Sequence, residues 1–310
     1  MLPIRIVVLL LGLVAAPGAV RGAEAASLRV KVAAISFVPE KGNLTANADR
    51  LEAAFREAAG SGARLAVAPE GILEGYVINP MLAAEMPVAR MHELALPLDA
   101  PLIQRFRNLS RDLQLCVVFG FAEKVGRDVF NTAVFIDHTG EIRGKYHKMQ
   151  FEEGYHPSWW FNRLGERSRT FDTPFGRCGI LICNDRWTPA LARIPALDGA
   201  QFLVIPAYGS TSARQDDAVI ARARETGLPV IEANVGVSLV VDNGAVAAVR
   251  RAPTAVTLAE ITVPPPIAAR PEERDAVERE FLAWRATEMA QRYEKKRHRL
   301  PPEAVTAASR

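Results

Sequence analysis

The sequence predicts an α/β protein in which sheets of mixed parallel and antiparallel strands are covered on the outside by helices. Three observations carry this. Leu28 to Phe37 (LRVKVAAISF) and Arg64 to Gly71 (RLAVAPEG) are apolar runs separated by a segment of helical periodicity, the order of a parallel strand pair joined by a crossover helix. Further along, His138 to Gly140 and Pro174 to Gly176 are turns short enough to join antiparallel neighbours. With 310 residues, 49% of them hydrophobic, and no internal repeat, the chain can bury one large core.

The first residues, MLPIRIVVLLLGLVAAPGAVRGAEAAS, place Arg5 before an apolar stretch from Ile6 to Ala16 and an Ala-x-Ala site at Ala23 to Ala25. This is the pattern of a cleavable secretory signal, and the apolar stretch is too short to cross roughly 30 Å of hydrocarbon. The expectation is a signal peptide over 1–25, a main domain over 26–265 and a C-terminal helical arm over 266–310. The mature protein would be secreted or periplasmic, with no stable membrane span. No cysteine lies near the cleavage region, which excludes a lipoprotein. Three cysteines cannot all pair in an oxidising compartment, so at least one thiol stays free or reaches another chain.

The remaining elements follow in order. Asn43 to Ala59 is a helix with Leu44, Ala48, Leu51, Phe55 and Ala58 on one face, stopped by Gly60 and Gly62. Met81 to Leu96 reads as an irregular excursion. Leu102 to Leu113 is a helix and Leu115 to Ala122 a strand. Val129 to Asp137 and Glu141 to Tyr146 form a hairpin that delivers GKYHKMQF. Arg167 to Thr173 and Cys178 to Cys183 form another. Pro189 to Leu197 is a helix, Phe202 to Ala207 a strand and Asp216 to Thr226 a helix. Strands follow over Leu228 to Asn234, Val237 to Asp242, Ala245 to Val249 and Ala255 to Val263, with Asn243 and Gly244 as a tight turn. Pro264 to Pro266 and Pro271 mark a break. Beyond them Glu272 to Arg299 is a charged helix with a narrow apolar stripe, an arm docked on its own body or on a second subunit.

The formal net charge of +3 is concentrated in KKRHR at Lys295 to Arg299, too local for a nucleic-acid surface. The five histidines are scattered and the cysteines include no CxxC pair, so neither a metal nor a cofactor is expected.

The stretch Gly176 to Pro189, GRCGILICNDRWTP, puts Cys183 where an apolar strand gives way to polar residues. A thiol there is held by a rigid core and open to a pocket, which suits a nucleophile; a small buried core residue is the plain alternative. Two other strand ends carry Glu70 and Lys148. Glu70 is a base for the thiol and Lys148 a cation for a developing oxyanion, helped by the backbone N–H of Asn184. Taken singly, Glu70 is better read as a cap and Lys148 as a solvated strand end.

Together the three stretches resemble the nitrilase superfamily of carbon–nitrogen hydrolases. The resemblance rests on Pro69 and Glu70 after a strand, Lys145 to Lys148 after a hairpin strand, and Gly179 to Cys183. It extends to FDTPFGRCG, DGAQFLVIPA and RARETGLPVIEAN, and runs from about Leu28 to Val263. It implies an α-β-β-α sandwich, a Glu70, Lys148 and Cys183 triad, and a homodimer or higher homo-oligomer. It also implies a second acid, for which Glu153 is the nearest candidate, with Glu152 behind it. The chain departs from the family in having only Val235 to Val237 between Asn234 and Ser238, and the segment after Pro264 lies outside the resemblance.

CNDRW is locally similar to the branch that hydrolyses N-carbamoyl amino acids. If Arg186 faces the pocket it binds a substrate carboxylate; otherwise it pairs outside with Asp185 or Asp198. Trp160, with Trp159 and Phe161, is read as a substrate wall or as plain packing. The implied reaction is thiol-dependent cleavage of a non-peptide C–N bond in a small amide or ureido substrate, without cofactor. A nitrile substrate, acyl transfer to an amine, or a non-catalytic ligand-binding descendant are the alternatives. A papain-like pair with His147 or His156 lacks the helix-borne cysteine of such proteases.

Overall fold

The computed structural model describes residues 26–82 and 85–296; the segment expected to be a signal peptide and most of the basic cluster lie outside them. In chain order the elements are β1 (Leu28–Ser36), α1 (Leu44–Gly60), β2 (Leu65–Val67), α2 (Ile78–Leu82), α3 (Ala89–Leu94), α4 (Pro101–Leu113), β3 (Cys116–Val125), β4 (Asp128–Ile136) and β5 (Ile142–His147). The second half comprises β6 (Phe171–Thr173), β7 (Gly176–Ile180), a 3₁₀ turn (Cys183–Trp187), α5 (Pro189–Leu197), β8 (Phe202–Ala207), α6 (Ala213–Thr226), β9 (Val230–Asn234), β10 (Val237–Asp242), β11 (Ala245–Arg250), β12 (Ala255–Val263) and α7 (Pro271–Lys296).

The strands form two six-stranded sheets, ordered β12-β1-β2-β3-β4-β5 and β11-β10-β9-β8-β7-β6. In the first, β2 is parallel to β1 and β3; in the second, β8 is parallel to β7 and β9; hairpins, and β12 laid antiparallel beside β1, supply the antiparallel flanks. Alternate residues of a strand face opposite ways, so Val30, Val32 and Ala34 join the core between the sheets. Ala33 and Ile35 join the layer beneath α1 and α4, with Phe55, Phe106 and Phe119. Helices α5 and α6 cover the second sheet. This is the α-β-β-α sandwich, and both faces of each central strand are dry, which explains their nearly continuous apolar runs.

Where the structure differs from the expected elements, the reasons are local. The strand predicted over Arg64 to Gly71 ends at Val67, before Pro69, and Arg167 to Thr173 is paired only over Phe171–Thr173. The excursion expected over Met81 to Leu96 takes in the end of α2 and all of α3. Cys183 stands beyond the end of its strand, opening the 3₁₀ turn.

The arm α7 lies along its own body. Phe281, Met289 and Tyr293 are buried, and Glu278 accepts from Ser168 N at 2.9 Å and pairs with Arg169 at 2.8 Å. No helix among the described residues is long and apolar enough to cross a membrane.

Candidate active site

The reactive side chains come from the carboxyl ends of strands. Glu70 follows β2, Lys148 follows β5, Cys183 follows β7, Tyr208 follows β8, and Asn234 closes β9. Carboxyl ends of neighbouring parallel strands open onto a common crevice, and the pairing of β1 to β3 and of β7 to β9 aims both sheets at the same one.

Glu70 is fully buried. Its approach is permitted by Gly120 on β3: a Cβ there would lie 2.6 Å from Glu70 Cα, and Gly120 N donates to Pro69 O at 3.0 Å. Lys148 Nζ donates to Glu70 Oε1 at 2.7 Å, Asn131 Nδ2 donates to the same oxygen at 2.7 Å, and Tyr208 N donates to Oε2 at 3.1 Å. Lys148 is itself tied into the hairpin through its backbone, its N–H reaching Asn131 O at 2.8 Å. Burial alone would lower the lysine pKa, but Glu70, Cys183 and Asp185 outweigh it and raise the value above that of an ordinary lysine. Lys148 is a fixed cation.

Cys183 has φ 46°, a left-handed conformation that costs a non-glycine residue about 1–3 kcal/mol and persists only where its surroundings impose it. They do. Asp185 Oδ2 accepts from Ile182 N at 2.9 Å and from Tyr146 Oη at 2.9 Å, and Gln150 Nε2 donates to Asn184 O at 3.2 Å and to Thr188 Oγ1 at 2.8 Å. The thiol points to Tyr208 O, with Sγ 3.6 Å away. Burial and the charge of Glu70 push its pKa up to about 12 against the pull of Arg186 and Lys148, so near neutrality sulfur holds its proton until a base removes it.

The loop after β8 is fixed in turn by Asn234, whose Oδ1 accepts from Gly209 N at 3.0 Å and whose Nδ2 donates to Ser210 O at 2.8 Å. Gly209 lies against the nucleophile: a Cβ there would touch Cys183 Sγ at 3.4 Å. These groups open onto a cavity of about 950 Å³, walled by Lys148, Glu153, Cys183, Asn184, Tyr76 and Tyr208. The rings of Tyr76 and Tyr208 stack with centroids 4.8 Å apart, and Lys41 Nζ bonds Tyr208 Oη at 3.1 Å.

Glu70, Lys148, Cys183, Asn184 and Glu153 are thus brought together. Burial, the largest influence on Glu153, raises its pKa, and Lys148 opposes it. Two expectations need correction. Arg186 lines the cavity, but it is neither a free carboxylate fork nor an outer ion pair. Only 1% exposed, it pairs with buried Glu232 at 2.9 Å, and Gln215 Nε2 holds the other carboxylate oxygen at 2.9 Å. Trp160 is 1% exposed and stacked against Trp159 in the apolar cluster behind the wall rings Tyr76 and Tyr208, and does not itself line the cavity. An apolar ring with room to pack inside has no reason to stay at a wet mouth.

Sequence reasoning did not single out Asn131, Gln150, Tyr146, Glu232 or Glu74. Asn131 carried a usable signal: with Thr132 it puts polar side chains inside the apolar run of β4, and such groups have to find buried partners. Glu74, buried with Oε2 accepting from Ala122 N at 3.1 Å, has its pKa raised to about 7 by burial, with a further push from Glu70.

The family model for carbon-nitrogen hydrolases matches residues 31–262, three-quarters of the chain. The chain belongs to the carbon–nitrogen hydrolase family. Family relatives include a citrullinase of Francisella tularensis, 29% identical over 60% of this chain and 63% of that protein. An N-carbamoylputrescine amidase of Solanum tuberosum is 31% identical over 62% of this chain and 63% of its own length. The matched region therefore spans somewhat under two-thirds of these relatives. Among solved structures, an amidase from Nesterenkonia sp. superimposes with a TM-score of 0.64 at 22% identity, covering 76% of this chain and 91% of that one, a likeness of fold. Another structure of that amidase carries acrylamide added at its active-site cysteine (TM-score 0.63, 22% identity, 74% and 92% coverage). Among the described residues no group of His, Cys, Asp and Glu is arranged to hold a metal ion.

Proposed function

We propose that this chain is a thiol hydrolase that cleaves a non-peptide C–N bond of a small amide or N-carbamoyl compound through an acyl-enzyme on Cys183. The observation that carries the reading is the convergence of a buried Glu70–Lys148 pair, joined at 2.7 Å, with a cavity-facing thiol whose backbone is held in a strained conformation. As Sγ attacks the carbonyl carbon, Glu70 takes the thiol proton. Negative charge gathers on the carbonyl oxygen, which Lys148 and the backbone N–H of Asn184 stabilise. Glu70 passes the proton to the departing nitrogen, the C–N bond breaks, and ammonia or an amine leaves a thioester. Water then gives a proton to Glu70 and attacks the thioester; the acid departs and the thiol recovers its proton. Glu153, on the wall, is the second acid in this reading.

Carbamoyl substrates are favoured by the citrullinase and N-carbamoylputrescine amidase relatives; an aliphatic nitrilase of Rhodococcus rhodochrous, 29% identical over 49% of this chain, keeps nitriles in the set to be tried. Secretion after cleavage at Ala23 to Ala25 and assembly as a homodimer or higher homo-oligomer belong to the same proposal, supported by the N-terminal pattern and the family resemblance. The test is a screen of amides, ureides and nitriles scored by ammonia release, with intact-protein mass spectrometry during turnover. A substrate-sized acyl adduct on Cys183 that disappears as substrate is consumed supports the proposal. Turnover by Cys183→Ala at more than a trace of the wild-type rate overturns it.

A further inference from the structure

Helix α7 begins beyond the region that matches the family model, yet it is built into the wall of the cavity. The segment that carries Lys148 onward to Glu153 has no regular secondary structure after β5, so its backbone groups need partners from elsewhere. One face of α7 supplies them. Arg285 Nη1 donates to Met149 O at 3.2 Å and also to Gly165 O, and Met289 Sδ accepts from Phe151 N at 3.4 Å. Met289 O accepts from Tyr155 N at 3.2 Å, Arg292 Nη1 donates to Phe151 O at 3.3 Å, and Lys296 Nζ donates to Glu152 O at 3.2 Å. Residues 285, 289, 292, 293 and 296 recur at helical spacing, so the contacts form one stripe.

The approach is close enough to dictate a residue. Gly154 has φ 92°, and a Cβ on it would lie 2.3 Å from Tyr293 N. The Tyr293 ring stacks on His156 at 4.7 Å, and Arg292 itself reaches the cavity wall.

We propose that α7 is a strap that positions the Met149–Tyr155 segment, and through it Glu153, against the Cys183 site, with Arg285 and Arg292 as the positioning residues. Its catalytic consequence rests on the hydrolase reading above; the strap itself is a matter of structure that can be read without turnover. Arg285 is the cleaner probe, because it is not among the residues that line the cavity.

The experiment uses the full chain with Arg285→Ala, Arg285→Lys and Arg292→Ala, read by amide hydrogen exchange, by iodoacetamide alkylation of Cys183 and by steady-state kinetics on a substrate found in the screen. Released from the strap, amides of residues 150–155 should exchange about tenfold faster or more while the central strands keep their protection. The rate of Cys183 alkylation should change with them. Misplacement of a group by about 1 Å costs up to about 100-fold, so kcat should fall by about 10- to 100-fold with KM moved less than about twofold. If the strap works through Glu153, the alanine variants should cost nothing further in a Glu153→Gln background, and Arg285→Lys should recover part of the loss. Unchanged exchange and alkylation in both alanine variants overturn the strap. So does an equal kcat loss in the Glu153→Gln background, which would mark α7 as general support. Should Arg285→Ala fail to fold, Arg292→Ala at the edge of the contact decides. If the wild-type protein turns over nothing in the screen, the hydrolase reading falls by itself, and exchange with alkylation still decides the strap.

Discussion

Lys148 Nζ lies 2.7 Å from Glu70 Oε1, with the two side chains 2% and 0% exposed. A pair so dry forfeits several kcal/mol of hydration per ion, and replacing such pairs with apolar residues is often neutral or stabilising. Its placement beside a thiol and a cavity is therefore better explained by chemistry than by stability.

Removing one partner should be costly in both respects. Lys148→Ala leaves Glu70 buried without its cation and should lose about 3–5 kcal/mol in urea unfolding together with turnover. Lys148→Arg should retain more stability and still fail in kcat, because a planar guanidinium cannot occupy the point position of an ammonium between carboxylate, thiol and oxyanion. A nearly active Lys148→Arg variant would show that a compact cation is not required.

The thiol should titrate late. With Cys183 pushed up to about 12 by burial and by Glu70, its alkylation by iodoacetamide should still be accelerating above pH 9 and show no plateau near the ordinary thiol value of about 8.5. Glu70→Gln removes the anion that opposes ionisation and should move the profile to lower pH. Cys116 and Cys178, each 0% exposed, should label more slowly than Cys183 throughout. A plateau at the ordinary value, or faster labelling of Cys178, would contradict this.

Arg186→Leu should not separate acidic from neutral substrates. The change strands Glu232 in the interior without its cation, so a loss of about 3–5 kcal/mol and a fall in activity on both substrate types are expected. Kinetics on one carboxylate-bearing and one neutral substrate check it; a selective rise in KM for the acidic one would restore a direct carboxylate contact.

Buried Glu74 and Asp185, each raised to about 7 chiefly by burial, set a pH dependence of known sign. The folded state binds these protons more tightly than the unfolded chain does. The stability they add is complete below the ordinary carboxyl values and is lost as pH climbs through about 7. Glu74→Gln keeps an acceptor for Ala122 N and removes that titration. It should match the wild type in urea unfolding near pH 4.5 and exceed it near pH 8 by up to about 3 kcal/mol. Equal differences at the two pH values would place the carboxyl in a wetter setting.

Much of the fold was legible because it is written locally. The apolar runs of β1, β8, β10 and β12 and the Asn243–Gly244 turn, with φ values of 49° and 70°, sit where alternation and turn chemistry put them. Cys183 was expected at the last residue of a strand; its turn is shaped instead by Tyr146, 39 positions away from Asp185, and no local pattern contains that bond.

What the sequence by itself determined is the order of strands and helices and the presence of Glu70, Lys148 and Cys183 at or just beyond strand ends, since those depend on neighbours in the chain. Only the tertiary structure decided what each side chain meets. Lys148 reaches Glu70 across 78 positions, Arg186 turns to Glu232 across 46, and α7 takes hold of Phe151 across 141. Trp160 and Arg186 are both buried, on different terms. A buried ring needs only close packing, whereas a buried charge needs an opposite charge, and the packing of the two sheets determines which one is within reach.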